Sequence, residues 1–214
     1  MQVFIFLLAL SWRVLAEVPS EEDRKTIMEC HTKLREEVKP TASNMQLMSY
    51  SREMEQMAQE IFSHCDAEDL KPDPKFQNMG FIVLHSLSDK PQYHDLCKVN
   101  STSYDNKKED CDLNCLNYRQ MVRAKSTQVG CAFGQCITKD DPSTINHLLT
   151  CAYKPSEIMF EEAPYEEGAS CSKCPDGYRC HRNQCYTNKS TSIFATHSLL
   201  YISLLSMLLL HNFK

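Results

Sequence analysis

Val129-Gly130-Cys131-Ala132-Phe133-Gly134-Gln135-Cys136 and His147-Leu148-Leu149-Thr150-Cys151-Ala152-Tyr153, separated by the turn residues Asp140-Asp141-Pro142-Ser143, decide the fold. Two short apolar runs joined by such a turn read as neighbouring strands. Phe81-Ile82-Val83-Leu84 reads as another buried strand. Helical signals flank them. Ser20-Glu21-Glu22-Asp23 has the form of an N-cap with acids in the first turn, and Ile27, His31, Leu34 and Val38 follow at helical spacing until Pro40 stops the helix. Met54, Met57, Ala58, Ile61, Phe62 and Cys65 fall on one face of a second helix, with the methionines as core filler. Thr41 to Ser51 is a connector anchored by Met45 and Met48, and Lys71 to Lys75 is a proline-broken loop. Ser86 to Asp110 is polar and irregular, and Leu116 to Arg123 forms a short helix. Helices outside and strands between give an α+β sandwich.

The two ends of the 214-residue chain read as processing signals. Val3 to Leu10 is apolar and Ala16 offers a small residue for cleavage, so residues 1–16 are expected to be a signal peptide. Leu199 to Leu210 is an apolar tail preceded by Ser190-Thr191-Ser192, the pattern of a glycosylphosphatidylinositol attachment signal with Ser190 as the anchor site. A spanning helix, which needs about 20 apolar residues, is reached only by including His197, though Lys214 suits a short stop-transfer segment. The expected division is signal peptide 1–16, main domain 17–160, cysteine-rich hinge 161–187 and anchor signal or short membrane tail 188–214.

Twelve cysteines behind a signal peptide point to a disulfide framework in an oxidising compartment. The sequons Asn100-Ser101-Thr102 and Asn188-Lys189-Ser190 point the same way. Zinc at Cys171-x-x-Cys174 and Cys180-His181 is the competing reading, but thiols there pair with one another first. A net charge of −5 without a long basic block argues against nucleic acid. After Pro155 the composition shifts to the acidic linker Glu161-Glu162-Ala163-Pro164-Tyr165-Glu166-Glu167-Gly168 and then to Cys171, Cys174, Cys180 and Cys185 among almost no apolar residues. That stretch cannot build its own core and needs cross-links.

His31-Thr32-Lys33-Leu34-Arg35, Cys115-Leu116-Asn117-Tyr118-Arg119-Gln120-Met121-Val122-Arg123, Val129-Gly130-Cys131-Ala132 and Thr150-Cys151-Ala152-Tyr153-Lys154-Pro155, in this order, resemble the CAP superfamily of cysteine-rich secretory, antigen 5 and pathogenesis-related proteins. The nearest branches are the glioma-pathogenesis-related and venom-allergen-like proteins. The resemblance covers nearly all of the mature chain. It implies a three-layer α/β/α sandwich with a small disulfide-rich C-terminal hinge. It also implies the pairs Cys65–Cys136, Cys131–Cys151, Cys111–Cys115, Cys171–Cys180 and Cys174–Cys185. Cys30 and Cys97 remain and are expected to pair with each other.

Many members of that family hold two histidines and two acids in a cleft able to bind a divalent metal. The matching positions here depart from it. Asn117 and Asp69 stand where the family has histidine. Phe81 stands for one acid, or Gln77 in a second register, and Leu96 or Asp95 for the other. Arg123 replaces a tryptophan. An amide does not replace imidazole as a strong ligand or general base, so neither a metal nor another cofactor is expected. His31, His64, His85, His94 and His147 read as surface or satisfied core residues, and an Asp69–His94 acid–base pair has no support in the sequence. No G-x-S-x-G, H-E-x-x-H or phosphate-binding glycine loop occurs.

The expected function is therefore non-enzymatic: a membrane-anchored extracellular protein displaying Ser86 to Asp110 and the linker around Glu161-Glu162 to a partner, an unidentified extracellular protein or lipid. Sterol or fatty-acid binding, with Pro91-Gln92-Tyr93-His94-Asp95-Leu96 as the candidate loop, is the alternative. A metal-dependent hydrolase is a more distant one.

Overall fold

Ser20 opens the first helix with a reciprocal cap. Its hydroxyl accepts from the Asp23 amide at 3.1 Å, and the Asp23 carboxylate accepts from the Ser20 amide at 2.9 Å. The helix, α1, spans Glu21–Glu36, with acids in its first turn and Lys33 and Arg35 in its last. The computed structural model describes residues 17–64, 74–86, 90–102, 104, 112–137, 145–157 and 162–187. Residues 1–16, read above as a signal peptide, Cys65, Asp69, Cys111, Asp140 to Ser143, read above as a turn, and the C-terminal residues with Asn188 and Ser190 lie outside them.

β1 (Ser49–Tyr50), α2 (Arg52–His64), β2 (Gly80–Ser86), α3 (Leu113–Met121), β3 (Gln128–Ile137) and β4 (Ile145–Lys154) follow, with short 3-10 helices at Pro74–Phe76 and Tyr93–Lys98. The sheet order is β1-β3-β4-β2. β3 and β4 are antiparallel with Cys131 facing Cys151, β2 pairs antiparallel with β4, and β1 pairs parallel with β3. Ile27, Cys30, Met48, Ile82, Leu96, Met121, Leu149 and Tyr153 fill one side of the sheet, beneath α1 and α3. Met54, Ala58, Ile61, Phe62, Phe76, Ala132 and Ala152 fill the other, beneath α2. The result is the three-layer α/β/α sandwich expected.

α2 lies unusually close to the sheet. Ser51 caps it by accepting from the Met54 amide at 3.3 Å, and the Ser51 amide donates to the Val129 carbonyl at 2.8 Å. Gly130 makes this approach possible: a Cβ there would fall 2.1 Å from the Glu55 nitrogen and 2.5 Å from the Ser51 carbonyl oxygen. α1 and α2 are joined by a buried ion pair, in which Arg24 Nη2 lies 2.9 Å from Glu55 Oε2 while the Tyr50 hydroxyl donates to that same oxygen at 2.6 Å.

The molecule departs from the sequence reading in several places. Phe81 to Leu84, read as a buried strand, belongs to the edge strand β2, where Ile82 is buried but Phe81, Val83 and Leu84 are only partly so. The polar stretch Ser86 to Asp110 is not irregular throughout. Tyr93–Lys98 forms a 3-10 helix whose Leu96 is fully buried and whose Cys97 is bonded to Cys30 of α1. Leu96, the Cys30–Cys97 cystine and the partly buried Tyr93, Val99 and Tyr104 hold a segment whose composition is otherwise that of a solvated loop. Likewise Phe76 is buried at the end of the proline-broken loop.

The acidic linker is not free either. Pro164 accepts from the Ala124 amide at 2.7 Å, and Tyr165 is buried against Val38, Ala42, Met45, Tyr118 and Val122. Beyond it the hairpin of β5 (Arg179–His181) and β6 (Gln184–Tyr186) is held by Cys171–Cys180 and Cys174–Cys185. Its backbone joins the Thr41 to Ser51 connector, with the Leu47 amide donating to Cys185 O at 2.8 Å and the Cys185 amide to Met45 O at 2.6 Å. Arg182 clamps it to α1 through Glu29 at 2.8 and 3.0 Å and Glu36 at 2.7 Å. So the hinge borrows the core of the main domain. Cys131–Cys151 crosslinks β3 and β4. Cys115 and Cys136 are also disulfide-bonded, and the partners expected for them, Cys111 and Cys65, are among the residues not described.

Candidate functional site

α3 begins at Asp112, whose carboxylate accepts from the Cys115 amide at 2.8 Å. One turn on, Asn117 points inward and is 3% exposed. Its Nδ2 donates to the Val83 carbonyl at 3.4 Å. Among the described residues β2 is an edge strand, and the amide adds a donor to one of its main-chain carbonyls. Phe81 packs edge-on against Phe76 with ring centroids 5.6 Å apart, on the α2 side of the sheet. Gln77 is exposed. Leu96 lies in the opposite core.

Asp95, the other candidate acid, accepts from the Gln92 amide at 2.7 Å and pairs with Lys98 at 2.7 Å. Burial opposes its charge, but the Gln92 amide and Lys98 outweigh burial and hold the carboxyl below its usual value. Asp69 lies outside the described residues. Asn117, Phe81 and Leu96 are an amide, an aromatic ring and an aliphatic chain, and the structure does not gather them, since Phe81 and Leu96 lie on opposite sides of the sheet. Those three supply no imidazole nitrogen and no carboxylate, and Asp95, the alternative acid among the described residues, is engaged by Gln92 and Lys98.

Two other groups place donor types together. The His94 ring lies near the sulfurs of Cys30 and Cys97, and Cys171, Cys174 and Cys185 cluster in the hinge. In both, the sulfurs are committed to disulfides, so neither offers a thiolate. His181, adjacent to Cys180, sets its ring edge against Tyr186. His85 is exposed and His147 stacks on Phe133 at 6.1 Å.

Among the described histidines, His31 is the one that the core encloses completely. It is fully buried, with Nδ1 2.7 Å from the Ile27 carbonyl and Nε2 2.8 Å from the Tyr153 hydroxyl. A carbonyl only accepts, so Nδ1 carries the proton. Burial favours the neutral ring, in which Nε2 accepts from Tyr153 and both nitrogens are used. Desolvation pulls its pKa down to about 4, and the charge of Arg35 adds to this against the Ile27 hydrogen bond. Between the ordinary value of 6.5 and about 4 the unfolded chain binds the proton and the folded chain does not. The contribution of His31 is complete above that window, is lost as pH falls through it, and changes no further below. The loss should reach about 3 kcal/mol. Urea unfolding of the wild type and His31→Gln between pH 7 and 4 checks it: the wild type should lose more stability over this window, and parallel profiles would contradict it.

One turn along α1, Arg35 is also fully buried, and the sequence reading gave it no role. Its Nη1 donates to Met121 O at 2.9 Å and Arg123 O at 2.8 Å. Nη2 donates to Gln46 O at 2.7 Å, with longer contacts to Ser126 O at 3.3 Å and Ala124 O at 3.4 Å, and Nε donates to Gln184 Oε1 at 3.3 Å. No acid is among these partners. The charge is met by carbonyl dipoles, including those at the C-terminal end of α3. Burial pushes the guanidinium down to about 9, which leaves it charged at neutral pH. The signal available in the sequence was the His31 to Arg35 spacing, which places both on one helical face.

A recess of about 250 Å³ is lined in part by Asn44, Arg123, Lys125, Glu162, Tyr165 and Glu166. Its charges are mostly spoken for: Arg123 contacts Glu157 at 3.4 Å, Lys125 lies 3.8 Å from Glu162, and Glu166 pairs with Lys173 at 2.6 Å. Among the described residues no helix is long and apolar enough to cross a membrane.

Comparison with known proteins places this architecture. The model of the Cysteine-rich secretory protein family (CAP) matches residues 28–153. Mouse (Mus musculus) peptidase inhibitor 16 is 29% identical over 169 residues, covering 78% of this chain and 34% of that protein. Mouse cysteine-rich secretory protein LCCL domain-containing 1 is 31% identical over 196 residues, covering 80% and 38%. The chain therefore spans little more than a third of the length of these relatives. Among solved structures, NaASP2 with Zn2+ aligns with a TM-score of 0.59 at 21% identity, covering 78% of this chain and 96% of that one. Hookworm Platelet Inhibitor aligns at 0.56 and 21%, covering 80% and 93%. At such identities the likeness is one of fold.

Proposed function

As the chain belongs to the cysteine-rich secretory protein family, we propose that it acts outside the cell as a non-enzymatic binding protein, held at the outer membrane leaflet by a C-terminal lipid anchor. The observation that carries this reading is the buried Asn117 amide serving the edge of β2 where the family resemblance places an imidazole. Phe81, packed on Phe76, and Asn117 offer neither an imidazole nor a carboxylate at their two positions, which supports this reading. What remains is a scaffold crosslinked within its sheet, between α1 and the Tyr93–Lys98 helix, and within the hinge. Such a body presents surfaces at low entropic cost. Two of the relatives are a peptidase inhibitor and a secretory protein, which agrees with action by binding outside the cell. The partner is an extracellular protein or lipid.

Treatment of intact cells expressing the full chain with a phosphatidylinositol-specific phospholipase tests the display. Release of the protein into the medium is the expected result. Protein confined to the cytosol would overturn the proposal, and surface protein that resists the enzyme would replace the lipid anchor with a spanning tail.

A further inference from the structure

We infer that Asn100 carries an N-linked glycan, an inference that rests on the extracellular reading above. Asn100 is exposed and sits in a turn that folds the sequon on itself. Its Oδ1 accepts from the Thr102 amide at 2.9 Å and from the Thr102 hydroxyl, and its Nδ2 donates to Lys98 O at 3.0 Å. The segment is fixed on both sides. Upstream, Cys97 is bonded to Cys30 of α1. Downstream, the Tyr104 amide donates to Ser101 O at 2.9 Å, and the Tyr104 ring packs on Tyr118 of α3 with centroids 5.2 Å apart.

The donor is an oligosaccharide joined through its anomeric carbon to a lipid diphosphate. Nδ2 attacks that carbon and forms the nitrogen–carbon bond. The carbon–oxygen bond to the diphosphate breaks, the lipid diphosphate leaves with the electron pair, and the nitrogen loses one proton. The hydroxyl that the modification requires comes from Thr102. A substituted amide nitrogen keeps one hydrogen, which is what the bond to Lys98 O needs. The sugar can therefore extend from the exposed turn while Asn100 retains its protein contacts. It would be rooted on the α1 and α3 side of the sandwich, away from the α2 layer.

The test uses the full chain made in cells with a secretory pathway, in wild-type form and as Asn100→Gln, Thr102→Ala and Ser101→Ala. Peptide-N-glycosidase treatment and peptide mapping read the modification, and sequencing of the mature N-terminus reads translocation. The expected result is a glycan on Asn100 in the wild type and in Ser101→Ala, and its loss in both Asn100→Gln and Thr102→Ala. A processed N-terminus with an unmodified Asn100 overturns this inference alone. An unprocessed chain without glycan overturns it together with the extracellular reading.

Discussion

Replacing Arg35 with methionine should lower stability by on the order of 3–5 kcal/mol, the loss typical of removing one member of a buried, mutually satisfied polar set. Methionine fills much of the space but donates nothing. The carbonyls of Met121 and Arg123 and Gln184 Oε1 would then stay buried without their donor, and the part-buried Gln46 carbonyl would lose it too. These acceptors come from the end of α3, the connector before β1 and the hinge hairpin, so their loss loosens three segments at once. Arg35→Lys should recover only part of the stability, since an ammonium offers three donors from one point and cannot reach acceptors arranged around a planar fork. Thermal unfolding without reductant reads the effect, with a fall in Tm on the order of 10 °C for methionine. A methionine variant within about 1 kcal/mol of the wild type would show that the guanidinium is dispensable.

Gly130→Ala is the second large expectation. A methyl group there would meet the Glu55 nitrogen at 2.1 Å and the Ser51 carbonyl oxygen at 2.5 Å. Both obstacles are backbone in the first turn of α2, and neither can rotate away. The helix would have to lift from the sheet, breaking the Ser51 to Val129 hydrogen bond and disturbing the Arg24–Glu55 pair. The cost should equal or exceed the roughly 1–3 kcal/mol of ordinary core overpacking. Denaturant unfolding gives the number directly. Gly177→Ala is the control, because nothing lies within 4 Å of a Cβ there, although its φ of +82° adds local strain of its own.

Much of the fold was legible because its signals are local. Ser20 and Asp23 announce a capped helix, and Met54, Ala58, Ile61 and Phe62 mark one face of α2. β3 and β4 carry the apolar runs of a central pair. What could not be read depends on distant partners. Leu96 looks like a loop residue until Cys97 is tied to Cys30. Arg35 looks like a solvent-facing cation at a helix end until carbonyls from three remote segments converge on it. The acidic linker looks solvated until Ala124 pairs with Pro164. At the candidate site the residue types were plain from the sequence, but their settings were not. Asn117 serves a strand edge, while Phe81 and Leu96 belong to opposite cores.

The most direct measurement is elemental analysis, with zinc titration calorimetry, of the glycosylated chain purified from secreting cells. The proposed function predicts far less than one zinc per chain and no saturable heat. One zinc per chain, retained through dialysis and lost on replacing Asn117 or Asp95, would mean that these positions belong to a working metal centre and that a binding role alone does not describe this protein.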